Sequence, residues 1–134
     1  DQENSLAHVF LGYTYSGMGQ YNDAIGEYQK SLVLDEEDTS TECYLAYAFA
    51  KAGKRDEAER IRKQLESTKL YVSPAELATV YVGLGEKDQA LSLLERAYAQ
   101  RDLQLQYLGV DPHFDSLRSE PRFQELIRKV GLPT

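Results

Sequence analysis

An all-α superhelix, three helix–turn–helix units in series closed by a C-terminal helical segment, is the architecture this sequence calls for. Gly19, Gly53 and Gly85 stand 34 and then 32 residues apart. Ala24, Ala58 and Ala90 repeat both intervals, and so do Leu11, Leu45 and Leu77. Three residue types held in one register mark an internal repeat, and a repeat of this length is one supersecondary unit that buries its apolar face only by stacking on its neighbours.

The first helix of each unit carries apolar residues one turn apart: Leu11 and Tyr15, Leu45 and Phe49, Leu77 and Tyr81. A glycine follows where that helix must stop, a position suited to a left-handed C-cap. The second helix carries the small alanine, where a larger side chain would hold the pair apart. Its stripe continues through Ile25, Tyr28 and Leu32, then Ile61 and Leu65, then Leu91, Leu94 and Tyr98. Start signals fall in phase. Ser73-Pro74-Ala75-Glu76 reads as a capping box with proline at the first helical position, and Thr39-Ser40-Thr41-Glu42 has the same form. The two residues missing before the third unit fall between Ser67 and Val72, in a connection where shortening leaves the paired faces undisturbed.

The 134 residues read as one domain, with repeats over about 5–38, 39–70 and 71–102 and a closing segment over 103–134. Within that segment, Leu103 to Leu108 predicts a short helix and Asp111-Pro112 a turn, with one more helical turn from His113 to Arg118. Ser119 and Pro121 predict the start of a last helix ending at Gly131, before Pro133. Phe114, Leu117, Phe123, Leu126 and Ile127 are expected to cover the end of the third repeat, which a solenoid otherwise leaves apolar and open.

Composition excludes several classes. With 15 basic and 22 acidic residues the formal net charge is −7, so most of the surface repels a phosphate backbone and a nucleic-acid partner is not expected. The apolar run Cys43–Ala50 is far short of the ~18 residues a spanning helix needs, so no membrane insertion is expected. The chain opens at Asp1 with neither an initiator Met nor a signal-peptide pattern, and reads as an excised or processed segment; a cytoplasmic setting is the default.

Catalytic groups are sparse. His8 and His113 lie at opposite ends of the chain with the lone Cys43 on a helix between them, an order that a solenoid does not bring into a Cys–His pair. No His or Cys pair has metal-ligand spacing, so neither a metal nor another cofactor is expected, and no enzymatic activity. Gly17-Met18-Gly19 and Gly83-Leu84-Gly85 read as turn glycines between helices, because neither follows a strand or continues as a phosphate loop. Asp35-Glu36-Glu37-Asp38 reads as a solvated connection.

Leu11-Gly12, Tyr15, Gly19, Tyr21, Ala24 and Tyr28, on a 34-residue period, closely resemble the tetratricopeptide repeat. The second unit keeps Leu45, Ala46, Phe49, Gly53 and Ala58; the third keeps Leu77, Ala78, Tyr81, Gly85, Ala90, Leu94 and Ala97. His8 stands where the family often has Trp, Arg62 replaces an aromatic, and the proline closing each unit is absent. The resemblance covers about Ser5 to Asp102. The string from Val110 to Pro133 is also similar to the closing segment of many bacterial multi-repeat proteins.

The resemblance implies that the first helices line a concave surface and that the protein binds another protein there. By that register Val9, Phe10 and Tyr13 belong to the inner face of the first unit, Cys43, Tyr44 and Tyr47 to the second, and Ala75, Glu76, Thr79 and Val82 to the third, with Lys51 the one basic group nearby. Stacked aromatics offer large, rigid contact area to a peptide or helix; the competing reading is that packing between first helices consumes them. Family members that clamp a C-terminal carboxylate use Lys and Asn where Val9 and Tyr13 stand, so that clamp is not expected here. The alternatives are a self-associating assembly domain, joined through Leu6, Val9 and Phe10, and a cis-acting regulatory domain of a larger bacterial kinase or transcription regulator.

Overall fold

The computed structural model describes residues 2–132, so Asp1, Pro133 and Thr134 lie outside the described residues. Six helices form three antiparallel pairs: α1 (Gln2–Gly17) with α2 (Tyr21–Leu34), α3 (Thr39–Lys51) with α4 (Arg55–Ser67), and α5 (Pro74–Gly83) with α6 (Lys87–Ala99). Two short 3-10 turns, Leu103–Tyr107 and Pro112–Leu117, lead into the last helix, α7 (Pro121–Val130), which packs on α6. The first helices of the pairs lie side by side, α3 packing against both α1 and α5.

The repeat residues act where their chemistry suits them. Gly19, Gly53 and Gly85 take φ of 77°, 82° and 78°, the left-handed region that costs a side-chain-bearing residue energy. In each turn the next amide reaches back five residues to the helix: Gln20 N to Tyr15 O (2.9 Å), Lys54 N to Phe49 O (2.8 Å) and Glu86 N to Tyr81 O (2.9 Å). These bonds satisfy carbonyls that the helix end would leave bare. Ala24, Ala58 and Ala90 are fully buried at the crossings. A fourth copy of this cap follows α6, where Asp102 N reaches Ala97 O at 2.9 Å and the left-handed residue is Arg101, φ 57°.

Three local readings shift. Helix α3 is capped by Asp38, which accepts from Thr41 N (3.0 Å) and Thr41 Oγ1 (2.6 Å), so Thr39 lies inside the helix and the acidic run supplies a cap. Ser73 does accept from Glu76 N at 3.2 Å, but the Glu76 carboxylate turns to α3 instead of closing the box. The residue before α7 is Glu120, not Ser119, with Pro121 opening the helix.

The middle unit compensates for its missing aromatic with charge. On α4 only Ala58, Ile61 and Leu65 are buried. Arg62 pairs with Glu59 (2.7 Å) and Glu66 (3.0 Å) along the helix, and its guanidinium lies 6.0 Å from the Tyr81 ring on α5. The Tyr81 hydroxyl donates to Glu66. One cation thus fills the space, worth about 0.5–1 kcal/mol at a partly exposed position. His8 is also polar in role, its Nδ1 lying 2.6 Å from Glu27 Oε2 on α2.

Phe114, Leu117, Phe123, Leu126 and Ile127 are buried. The closing segment also does more than cap an end: its 3-10 turns pack on α5, and residues 111–113 reach across to α1.

Candidate protein-interaction groove

The step of 34 residues and then 32 places Tyr13, Tyr47 and Thr79 at one register position of α1, α3 and α5. The chain's own His113 enters the space between the tyrosines. It is 4% exposed, stacked on Tyr44 at 5.1 Å between ring centroids and 19°. Tyr47 (4.5 Å) and Tyr13 (5.4 Å) meet it edge to face. Each such ring pair contributes about 0.5–1.5 kcal/mol beyond the area it buries.

Asp111 fixes the orientation of that imidazole. Its Oδ1 accepts from the His113 backbone N at 3.0 Å, from His113 Nδ1 at 2.7 Å and from the Tyr13 hydroxyl at 3.1 Å. Burial alone would raise the Asp111 carboxyl, but the His113 bonds and charge together with the Tyr13 hydroxyl outweigh it and hold the group below the usual aspartate range. Burial pushes the hydroxyls of Tyr13, Tyr44 and Tyr47 well above the ordinary phenol value. They therefore stay neutral, and Tyr13 and Tyr44 donate, to Asp111 and Glu76. Arg118 braces the turn, donating to Asp111 O (2.9 Å) and Leu108 O (3.3 Å).

The predicted inner-face residues divide into three groups. Tyr13, Tyr44 and Tyr47 come together, around a segment of the same chain. Lys51 and the partly buried Val82 line a cavity of about 260 Å³ beside it, with Tyr21, Tyr47, Asp115 and Ser116. The rest do not join them. Phe10 is 72% exposed although its repeat equivalent Tyr44 is packed, and Val9 is half-buried on α1. Thr79 is a correction to the groove reading: it is buried and its hydroxyl donates to Glu76 O of its own helix at 2.6 Å, so it offers nothing to a ligand. Cys43 is fully buried, its thiol pushed up by burial first and then by Glu76, Glu42 and Asp38.

Sequence reasoning missed Asp111, His113 and Tyr21. The Asp-Pro pair signals a turn, and nothing in local sequence says that the turn lands on α1 and α3.

Glu76, on α5, is a buried carboxylate bonded to α3. It accepts from Ser40 Oγ at 2.6 Å and the Tyr44 hydroxyl at 3.2 Å. Burial raises its pKa; the two donors oppose that rise, and Asp102 and Asp38 add to it. The folded state therefore holds this proton more tightly than the unfolded chain does. Stability from the group is full below the ordinary glutamate value and is lost as pH rises through the folded value. Glu76→Gln should remove that slope. In urea melts at pH 4, 5.5 and 7, variant stability minus wild-type stability should rise with pH; a constant difference would show that Glu76 titrates normally.

Stacked helix pairs presenting one lined face are the anatomy of a helical-repeat interaction scaffold. A family model described as "Tetratricopeptide repeat" matches residues 7–41, covering most of α1, all of α2 and the start of α3. Over that first unit the chain matches the tetratricopeptide repeat, and the two later helix pairs repeat its turn geometry; members of that family are generally non-catalytic protein–protein interaction modules. No curated protein and no solved structure matched it. Among the described residues no helix is long and apolar enough to cross a membrane.

Proposed function

We propose that this chain is a non-catalytic scaffold, acting as one domain over its whole length, that binds a peptide or helix of a partner protein in its concave aromatic groove. The observation that carries this reading is the groove's present content. Tyr13, Tyr44 and Tyr47 hold a polypeptide turn by ring contacts and a hydroxyl-to-carboxylate bond, so the surface has the chemistry of peptide recognition. The part left open is the cavity framed by Tyr21, Tyr47, Lys51 and Val82, which has room for one or two partner side chains. The net charge of −7 favours encounter with a basic partner.

Tyr21→Ala and Lys51→Glu are the informative variants, because both residues line the opening and neither is one of the three rings that hold His113. Peptides selected from a display library on the wild-type chain are expected to bind either variant at least about tenfold more weakly, a loss of ~1.4 kcal/mol, with thermal midpoints little changed. Selected peptides that bind both variants as tightly as wild type would place recognition on another face.

A further inference from the structure

We propose that the loop 109–113 is a displaceable internal ligand of the groove, and that the external partner carries the same chemistry: a turn with a carboxylate two residues before an imidazole or aromatic ring. The inference rests on the reading of the concave face as a peptide groove and names what that groove selects.

The contacts are those of a bound ligand. Asp111 takes the Tyr13 hydroxyl, His113 enters the tyrosine box as the buried anchor, and Pro112 joins them in a turn. This is the pattern of a recognition hot spot, a ring in a fully desolvated pocket oriented by one charged hydrogen bond. The same residues make poor ordinary core. His113 Nε2 is buried with no hydrogen-bond partner, a cost that the closed state bears and that water removes once the segment lifts.

The flanks also suit release. The loop joins two short 3-10 turns, Leu103–Tyr107 and Pro112–Leu117, instead of lying in a helix running on from α6. Leu108 (1% exposed) and Phe114 (3%) are buried at its two ends and Val110 between them is 79% exposed, so the loop lifts about fixed ends while Leu105, Leu108, Phe114 and Leu117 stay packed in the core. Releasing the anchor exposes Tyr13, Tyr44 and Tyr47 together, and a partner that brings its own carboxylate and ring replaces both contacts.

The test uses the full chain and a fluorescent decapeptide of residues 109–118. Asp111→Ala with His113→Ala removes the internal anchors and is expected to bind the peptide at least tenfold more tightly than wild type does. A peptide with alanine at both equivalent positions should bind neither chain. Hydrogen exchange on the wild-type chain is the second measurement, valid even if the double variant fails to fold: amides of 109–113 should exchange at least tenfold faster than those of α3 and α5. A folded double variant that ignores the peptide, or a segment that exchanges only with α3 and α5, overturns the proposal. A library peptide that binds at Tyr21 and Lys51 while 109–113 stays protected also overturns it, and leaves the groove function standing.

Discussion

Phe123→Ala should destabilise the protein by about 3–5 kcal/mol, the cost of deleting a buried aromatic ring that its surroundings cannot collapse to replace. The ring is 2% exposed, lies 6.3 Å from the ring of Phe114, and has the Arg118 guanidinium 5.8 Å from its centroid. It therefore joins α7 to the second 3-10 turn and to the arginine that braces Asp111. Domains of this size have only about 5–15 kcal/mol in total, so the loss would be a large part of what holds the chain folded. Urea unfolding measures it: the midpoint should fall with little change in slope. A loss below about 1 kcal/mol would mean that the closing segment is not packed as one unit with the third helix pair, since surface changes fall in that range.

Gly12→Ala and Gly26→Ala should have opposite signs although both glycines sit inside helices. A Cβ at Gly12 would lie 2.5 Å from Tyr28 Cε1 and 2.6 Å from Tyr28 Cδ1, and Tyr28 is fully buried, so its ring has nowhere to turn. Overpacking of this kind costs about 1–3 kcal/mol, against a gain of about 1 kcal/mol from the better helix former; the expected result is a net loss. At Gly26 a Cβ meets nothing within 4 Å, so alanine should stabilise by about 0.5–1 kcal/mol. Thermal midpoints of the two variants, measured beside wild type, separate the cases. A rise at both positions would mean that α1 and α2 are not in close contact at Gly12.

The helix pairs were legible because each depends on residues near one another in the chain. A glycine at the fifteenth place of each unit, an alanine five places on, and apolar residues at helical spacing describe a local structure whose energy comes from short-range caps and one buried stripe. The caps obeyed this logic at Gly19, Gly53 and Gly85, and departed from it at Arg101, where packing of the following segment imposes a left-handed backbone on a residue that does not favour it. At Asp38 the cap stood one place earlier than the Ser/Thr pattern suggested, because a carboxylate offers two acceptors to Thr41.

The groove was legible only in outline. Its register followed from the repeat, and so did the tyrosines that line it. Its content did not. Phe10 and Tyr44 are equivalent in sequence, yet one is exposed and the other half-buried, because Tyr44 has His113 and Tyr13 as neighbours and Phe10 has no comparable pair.

By itself the sequence determined the helix pairs, their order, the turn chemistry and the acidic charge, all of which arise from short-range periodicity and composition. Only the tertiary structure decided that the closing segment crosses the concave face and places Asp111 and His113 among three tyrosines. That contact joins residues 98 positions apart. Its energy comes from the shape and hydrogen-bonding match of two surfaces, which no local pattern along the chain records.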